Sequence, residues 1–127
     1  MREILFRGKC VGSGEWIYGN LNYYPDINRA FIRLWPDENK RKDTLETEVL
    51  KDTVGQYTGM CDKNGRKIFE GDIIELTGDN FFIVFVDGCF RLSKNTGYFW
   101  TLHNLYSAIE VIGNVYDNPE LLKGGEG

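Results

Sequence analysis

A chain of 127 residues, 42% hydrophobic and 14% aromatic, is long enough for one domain or two small subdomains sharing a core, and needs no staples to fold. Its formal net charge of −4 speaks against a duplex-binding surface built on clustered Lys and Arg, and against adsorption to anionic lipid. The 8 Phe, 7 Tyr and 3 Trp, with 15 Gly to allow frequent reversals, favour pleated strands over helices and point to an all-β fold.

The segment Arg2 to Arg7 reads as a strand with Ile4 and Phe6 on one face. Charges interrupt it too early for a signal peptide. Gly12-Ser13-Gly14 is a turn, after which Glu15 to Leu21 is extended. In Ala30 to Trp35, Phe31 and Trp35 alternate with Ile32 and Leu34, so both faces are apolar: the strand is buried on both sides or keeps one face for a partner. Pro36 to Asp43 is polar and aperiodic, an exposed loop. Thr44 to Gln56 carries Leu45, Val49 and Leu50 at helical spacing, but its threonines and valines oppose a helix, and irregular or extended structure is expected.

Asp62-Lys63-Asn64-Gly65 is a hairpin signal, because Asn-Gly tolerates the two positive-φ positions of a type I′ turn. The strand Lys67 to Thr77 follows, with a bulge or strand entry at Gly71-Asp72, and Gly78-Asp79-Asn80 turns into Phe81 to Val86. Asp87-Gly88 is a second two-residue turn, and its register follows. Val86 pairs with Cys89, Phe85 with Phe90, Val84 with Arg91 and Ile83 with Leu92. One face then holds Ile83, Phe85, Phe90 and Leu92. The other holds Phe82, Val84, Val86 and Cys89, and needs cover from another element or chain. Strands are expected at Gly97 to Leu102 and Ala108 to Tyr116. Asn118 as N-cap, Pro119 and Glu120 open one short helical turn, whose Leu121 and Leu122 anchor the terminus before a flexible tail at 123–127.

The run from Thr53 to Ile74, TVGQYTGMCDKNGRKIFEGDII, resembles the signature of the YopX family of phage and prophage proteins. Arg2 to Arg7 with Trp16-Ile17-Tyr18-Gly19 resembles the family's opening, and Val111 to Leu121, VIGNVYDNPEL, its close. Lys51 departs from a common Pro, and Met60-Cys61 from a more usual Leu-Lys pair. The resemblance implies a single β-rich domain over 1–127, oligomeric and of viral or prophage origin, without supplying an activity. Together with the strand reading, the expected fold is all-β with short antiparallel strands. A small SH3-like barrel at 57–122 packs on an N-terminal β part at 1–56.

No catalytic, cofactor or metal site emerges. Cys10, Cys61, Cys89 and His103 are enough ligands for a Cys₃His zinc centre, but none is paired at knuckle spacing, and reduced thiols in a cytoplasmic chain are the plainer reading. His103 has no nucleophile signature beside it, and Asp72, Asp79 and Asp87 fall at turns, where Asp is favoured for local hydrogen bonds. The recurring Gly55, Gly59, Gly65 and Gly71 lack the Lys and the helix N-terminus of a phosphate loop. The longest apolar run, Phe81 to Val86, is far short of the roughly 20 residues of a membrane helix.

Two functions from different classes follow. The first is a non-enzymatic homo-oligomer that binds a host or phage protein through surplus apolar strand faces, with Phe31, Ile32, Phe82, Val84 and Val86 as the interaction surface. The alternative is a nucleic-acid accessory protein using Lys40-Arg41-Lys42 and exposed Tyr23, Tyr24 or Tyr98. It is less favoured because Asp37, Glu38 and Asp43 nearly cancel the basic run.

Overall fold

The computed structural model describes residues 3–34, 46–94 and 97–123. The loop at Pro36 to Asp43 with its basic run, Trp35, the ring of Tyr98 and the tail beyond Lys123 lie outside the described residues. The fold is all-β, as the composition indicated: antiparallel strands with short 3-10 turns. The chain divides into two compact units, Met1–Gln56 and Tyr57–Gly127.

The first unit is a meander of β1 (Phe6–Lys9), β2 (Trp16–Tyr24), β3 (Arg29–Leu34) and β4 (Glu46–Val49). The meander closes on itself. Beyond β1, Cys10 bridges to Val49, the Val11 N–H donates to Glu48 O at 3.0 Å, and the Leu50 N–H donates to Lys9 O at 2.9 Å. Strand β4 is thus bonded to β3 on one side and to the end of β1 on the other, which removes the free edge of a small sheet. The closure is tight enough to favour a missing side chain: a Cβ at Gly8 would lie 2.9 Å from Val49 Cβ on β4. Ala30, Ile32 and Val49 fill the interior, with Phe6, Ile17, Leu21 and Val54 packed around them. At the chain start, Phe6 packs against this interior as its expected face requires, but Ile4, two residues before it, is exposed, while Leu5 and Arg7 on the alternate face are also buried. The Arg7 guanidinium lies over the Trp16 ring at 4.6 Å.

After a 3-10 turn at Lys51–Thr53, β5 (Gly55–Cys61) starts beside β1, with Gln56 opposite Phe6, and runs into the second unit. There it forms a hairpin with β6 (Lys67–Phe69). The hairpin turn differs from the expected type I′. Asn64 keeps a negative φ, and only Gly65, at φ 83°, is left-handed. Gly65 N–H donates to Asp62 O at 2.9 Å, closing an ordinary turn whose extra residue, Gly65, forms the bulge.

The remaining strands are β7 (Asp72–Leu76), β8 (Asp79–Val86), β9 (Cys89–Lys94), β10 (Gly97–Thr101) and β11 (Glu110–Asn114). Their order is β10-β9-β8-β7-β11. Four strands meander, 3-10 turns at Leu102–Asn104 and Tyr106–Ala108 reverse the chain, and the fifth strand returns beside the first. This is the connectivity of an SH3-like barrel. The Asp87-Gly88 turn is type I′, with φ of 55° and 80°, and all four expected pairs across it are present. A second turn of this kind, Thr77-Gly78, joins β7 to β8 with φ of 49° and 88°. Ile68, Ile74, Phe81, Ile83, Leu92, Leu102, Ile109 and Val111 form the core of this unit. The terminal turn is 3-10, Pro119–Leu122, and Asn118 does not cap it. Its Oδ1 instead accepts the Asn114 N–H at 3.2 Å, and the turn is tied down where Leu121 O accepts Asn80 Nδ2 at 2.9 Å.

Candidate interaction surface

Within the segment that carries the family resemblance, the buried polar side chains Thr53, Thr58, Asp62 and Asp72 are engaged with backbone. Thr53 Oγ1 accepts the Lys9 N–H at 2.9 Å and donates to Leu50 O at 2.6 Å. Thr58 Oγ1 donates to Ile68 O at 2.8 Å and accepts the Met60 N–H. Asp72 Oδ2 accepts the Phe69 N–H at 2.8 Å, the local turn bond expected of it. Asp62, only 5% exposed, accepts three backbone N–H groups, from Asn64 and Arg66 on Oδ1 and from Val111 on Oδ2, each at 2.9 Å. Burial pushes its carboxyl up, but the N–H groups of Val111, Arg66 and Asn64 and the Arg66 charge outweigh this and hold it below its ordinary value.

The cysteines and histidine are not gathered into a centre. Cys10 lies in the first unit, where the Ser13 hydroxyl, and then the N–H groups of Ser13 and Gly12, draw its thiol below its ordinary value. Cys61 Sγ is 3.7 Å from Tyr57 Oη, Cys89 Sγ is 3.8 Å from Val86 O, and His103 is exposed in a 3-10 turn. Among the described residues, no group of three or more His, Cys, Asp and Glu is placed to hold a metal ion.

Tyr23 and Tyr24 are exposed, as anticipated, but both are engaged by their neighbours. Tyr23 Oη donates to Asn28 Oδ1 at 2.5 Å, and Tyr24 Oη lies 3.0 Å from each oxygen of Glu46. Hydrogen bonding to Glu46 first, then burial and the Glu46 charge, raise the Tyr24 phenol. The nearby cations are matched by the same strand: Arg29 pairs with Glu48 at 2.6 Å, and Arg33 with Glu46 at 3.7 Å. A phosphate backbone meeting this face would have to displace those carboxylates. Beside it, an open groove of about 310 Å³ has a floor of Leu21, Ala30 and Val54 and a rim of Tyr23, Asn28, Lys51 and Asp52.

Of the apolar residues singled out in the sequence, Ile32 has to be withdrawn. Its partner register places it inside the closed meander, where it is 0% exposed. Phe31 points the other way, half-buried and edge-on to Tyr24 at 5.4 Å with Arg29 over its ring. Phe82, Val84 and Val86 share one face of β8 and are half-buried, while Ile73 and Ser93, opposite Phe82 in the ladder, are buried.

The most exposed rings of the second unit lie elsewhere. Phe81, Ile83 and Phe85 alternate along one face of β8; the first two are in the core, yet Phe85 runs past it and is 53% exposed, with Phe90 at 4.9 Å. On the neighbouring strands, Tyr98 pairs with Ser93 and Thr101 with Arg91, so two residues, Phe99 and Trp100, stand opposite Leu92 alone. This β-bulge turns both rings onto Phe81, each at 5.7 Å, and leaves Phe99 39% and Trp100 52% exposed. Lys94 Nζ lies 4.8 Å from the Phe81 ring and 3.1 Å from Asp79 Oδ1, a polar rim to the aromatic cluster. Strict alternation cannot place Tyr98-Phe99-Trp100, three consecutive rings, and only the bulge decides which two face the same way.

Comparison with known proteins agrees with the sequence resemblance and adds one structure. The sequence model of the YopX protein family matches residues 5–123. A crystal structure of protein EF1440 from Enterococcus faecalis is similar with a TM-score of 0.61 and 25% identity, over 96% of this chain and 99% of that one. No curated protein matches the sequence. With the family match running across both units, the chain belongs to the YopX family.

Proposed function

We propose that this YopX-family chain is a non-enzymatic accessory protein of phage or prophage type that self-associates through the aromatic surface of its second unit and, so assembled, engages a host or phage protein in the bacterial cytoplasm. The observation that supports it most is the exposure of Phe85, Phe99 and Trp100 at the margin of a unit whose core residues, Phe81 among them, are themselves buried. Rings left about half in water at the margin of the core, rimmed by the Lys94–Asp79 pair, are what a protein–protein surface presents. The bulge on β10 disfavours growth of the sheet through its edge, so association is by the face rather than by an added strand.

Sedimentation velocity over a micromolar concentration series tests the reading. The wild type sediments as a dimer or larger, and Phe85→Asp with Trp100→Ser shifts it to monomer with its circular dichroism unchanged. A wild type that stays monomeric throughout the series would overturn it.

A further inference from the structure

We propose that Asn64 is a site of spontaneous deamidation whose rate is gated by the Asp62 turn. Asn64-Gly65 is the only Asn-Gly pair in the sequence. Both residues are exposed, and among the described residues the Asn64 carboxamide has no hydrogen bond. A Cβ at Gly65 would meet nothing within 4 Å, so nothing shields the approach of the Gly65 nitrogen to the Asn64 side chain.

The chemistry needs only water and base. Hydroxide removes the proton of the Gly65 amide; the nitrogen attacks Asn64 Cγ, an N–C bond forms, the C–NH₂ bond breaks and ammonia leaves with a proton from water. Water then opens the five-membered imide on either side, giving Asp or isoaspartate. In the folded turn this nitrogen is engaged, since the Gly65 N–H donates to Asp62 O at 2.9 Å. The Asp62 carboxylate fixes the N–H groups on both sides of it, at Asn64 and Arg66. Attack therefore waits for the turn to open, and local opening is governed by these few bonds. The isoaspartyl product inserts a methylene into the main chain between Asp62's ligands at Asn64 and Arg66, so the carboxylate cannot keep both of them together with Val111. Ageing would loosen the tie between the turn and β11 in one direction only.

The test incubates the full chain in mildly alkaline buffer and follows each asparagine by peptide mass spectrometry with an isoaspartyl methyltransferase assay. Three samples are compared: folded wild type, wild type in denaturant, and Asp62→Ala. Asn64 converts faster than the chain's other asparagines in denaturant, and folding slows it by about tenfold, the factor given by about 1.4 kcal/mol of turn stability. Asp62→Ala converts at a rate near that of the open chain, whether it folds or not. Equal Asn64 rates in folded and denatured wild type would overturn the gating, and an Asn64 no faster than other asparagines in denaturant would overturn the site.

Discussion

The carboxylate of Asp62 accepts the backbone N–H of Val111, 49 positions away in the chain, at 2.9 Å. The same turn donates Lys63 N–H to Ile109 O at 3.0 Å. A residue whose sequence context advertises a local hairpin therefore also fixes where the last strand of the sheet lies. In Asp62→Ala three backbone donors lose their acceptor, that of Val111 in a buried place and those of Asn64 and Arg66 in partly buried ones, and a charged acceptor is among the stronger ones. The expected loss is about 3 kcal/mol or more in chemical denaturation. Asp62→Asn restores part of it, because one carboxamide oxygen replaces Oδ1 while its NH₂ faces the Val111 N–H as donor to donor. Equal stability of Asp62→Ala and wild type would remove Asp62 from this role.

Acid should release the same latch. The Asp62 carboxyl titrates below its ordinary value of 3.8, so the folded state binds this proton less readily than the unfolded chain. Its contribution is then complete above the unfolded value and is lost as pH falls from about 4 through the depressed folded value. Urea midpoints taken down this range fall for the wild type. In Asp62→Asn, where the group cannot titrate, the fall is shallower, and parallel slopes in the two proteins would contradict the assignment.

Ile83 and Phe85 sit on the same face of one strand, two residues apart, and differ entirely in burial. Ile83→Ala removes side-chain volume from a closed core and is expected to cost about 2–5 kcal/mol. Phe85→Ala removes a larger ring that is half in water already, so its cost is expected to stay below about 1.5 kcal/mol. Thermal unfolding of the two variants measures the contrast. If Phe85→Ala were as damaging as Ile83→Ala in dilute protein, Phe85 would be a core residue rather than part of an interaction surface.

This pair also marks where the sequence could be read and where it could not. Asp87-Gly88 determined the β8–β9 register residue by residue, because a two-residue turn leaves one choice of partners and both its residues take positive φ. It could not say where along that register the core would end, which depends on Met60, Leu76, Leu102, Leu105 and other residues arriving from distant segments. Thr77-Gly78 forms the same kind of turn but gave a weaker signal, since a β-branched residue at positive φ is disfavoured and held only by its surroundings. Asn64-Gly65 gave a strong signal and a different turn, because Asp62 supplies acceptors that favour a negative φ at Asn64. Phe31 and Ile32 are equally apolar, and alternation cannot tell which of the two faces is enclosed; the structure encloses Ile32. The closing bridge from Cys10 to Val49, which decides it, leaves no local trace.

The close approach of β3 to β2 makes a prediction at a residue with no side chain. Gly19 sits in the middle of β2, opposite Leu34, and a Cβ there would lie 2.2 Å from the Arg33 carbonyl oxygen and 3.1 Å from Ile32 Cγ2. The nearest atom is backbone of the adjoining strand, so relief by a rotamer change is closed off, and β3 itself must move. Its movement is resisted from the far side, where β3 is bonded to β4 and β4 in turn to the end of β1. Gly19→Ala should therefore cost about 3 kcal/mol, the upper part of the range for overpacking. The damage should be confined to the first unit. Native-state hydrogen exchange of the β1–β4 amides rises while the β7–β9 amides keep their protection. Exchange unchanged at β3 and β4 would mean that β2 and β3 are not held as closely as the Gly19–Arg33 approach requires.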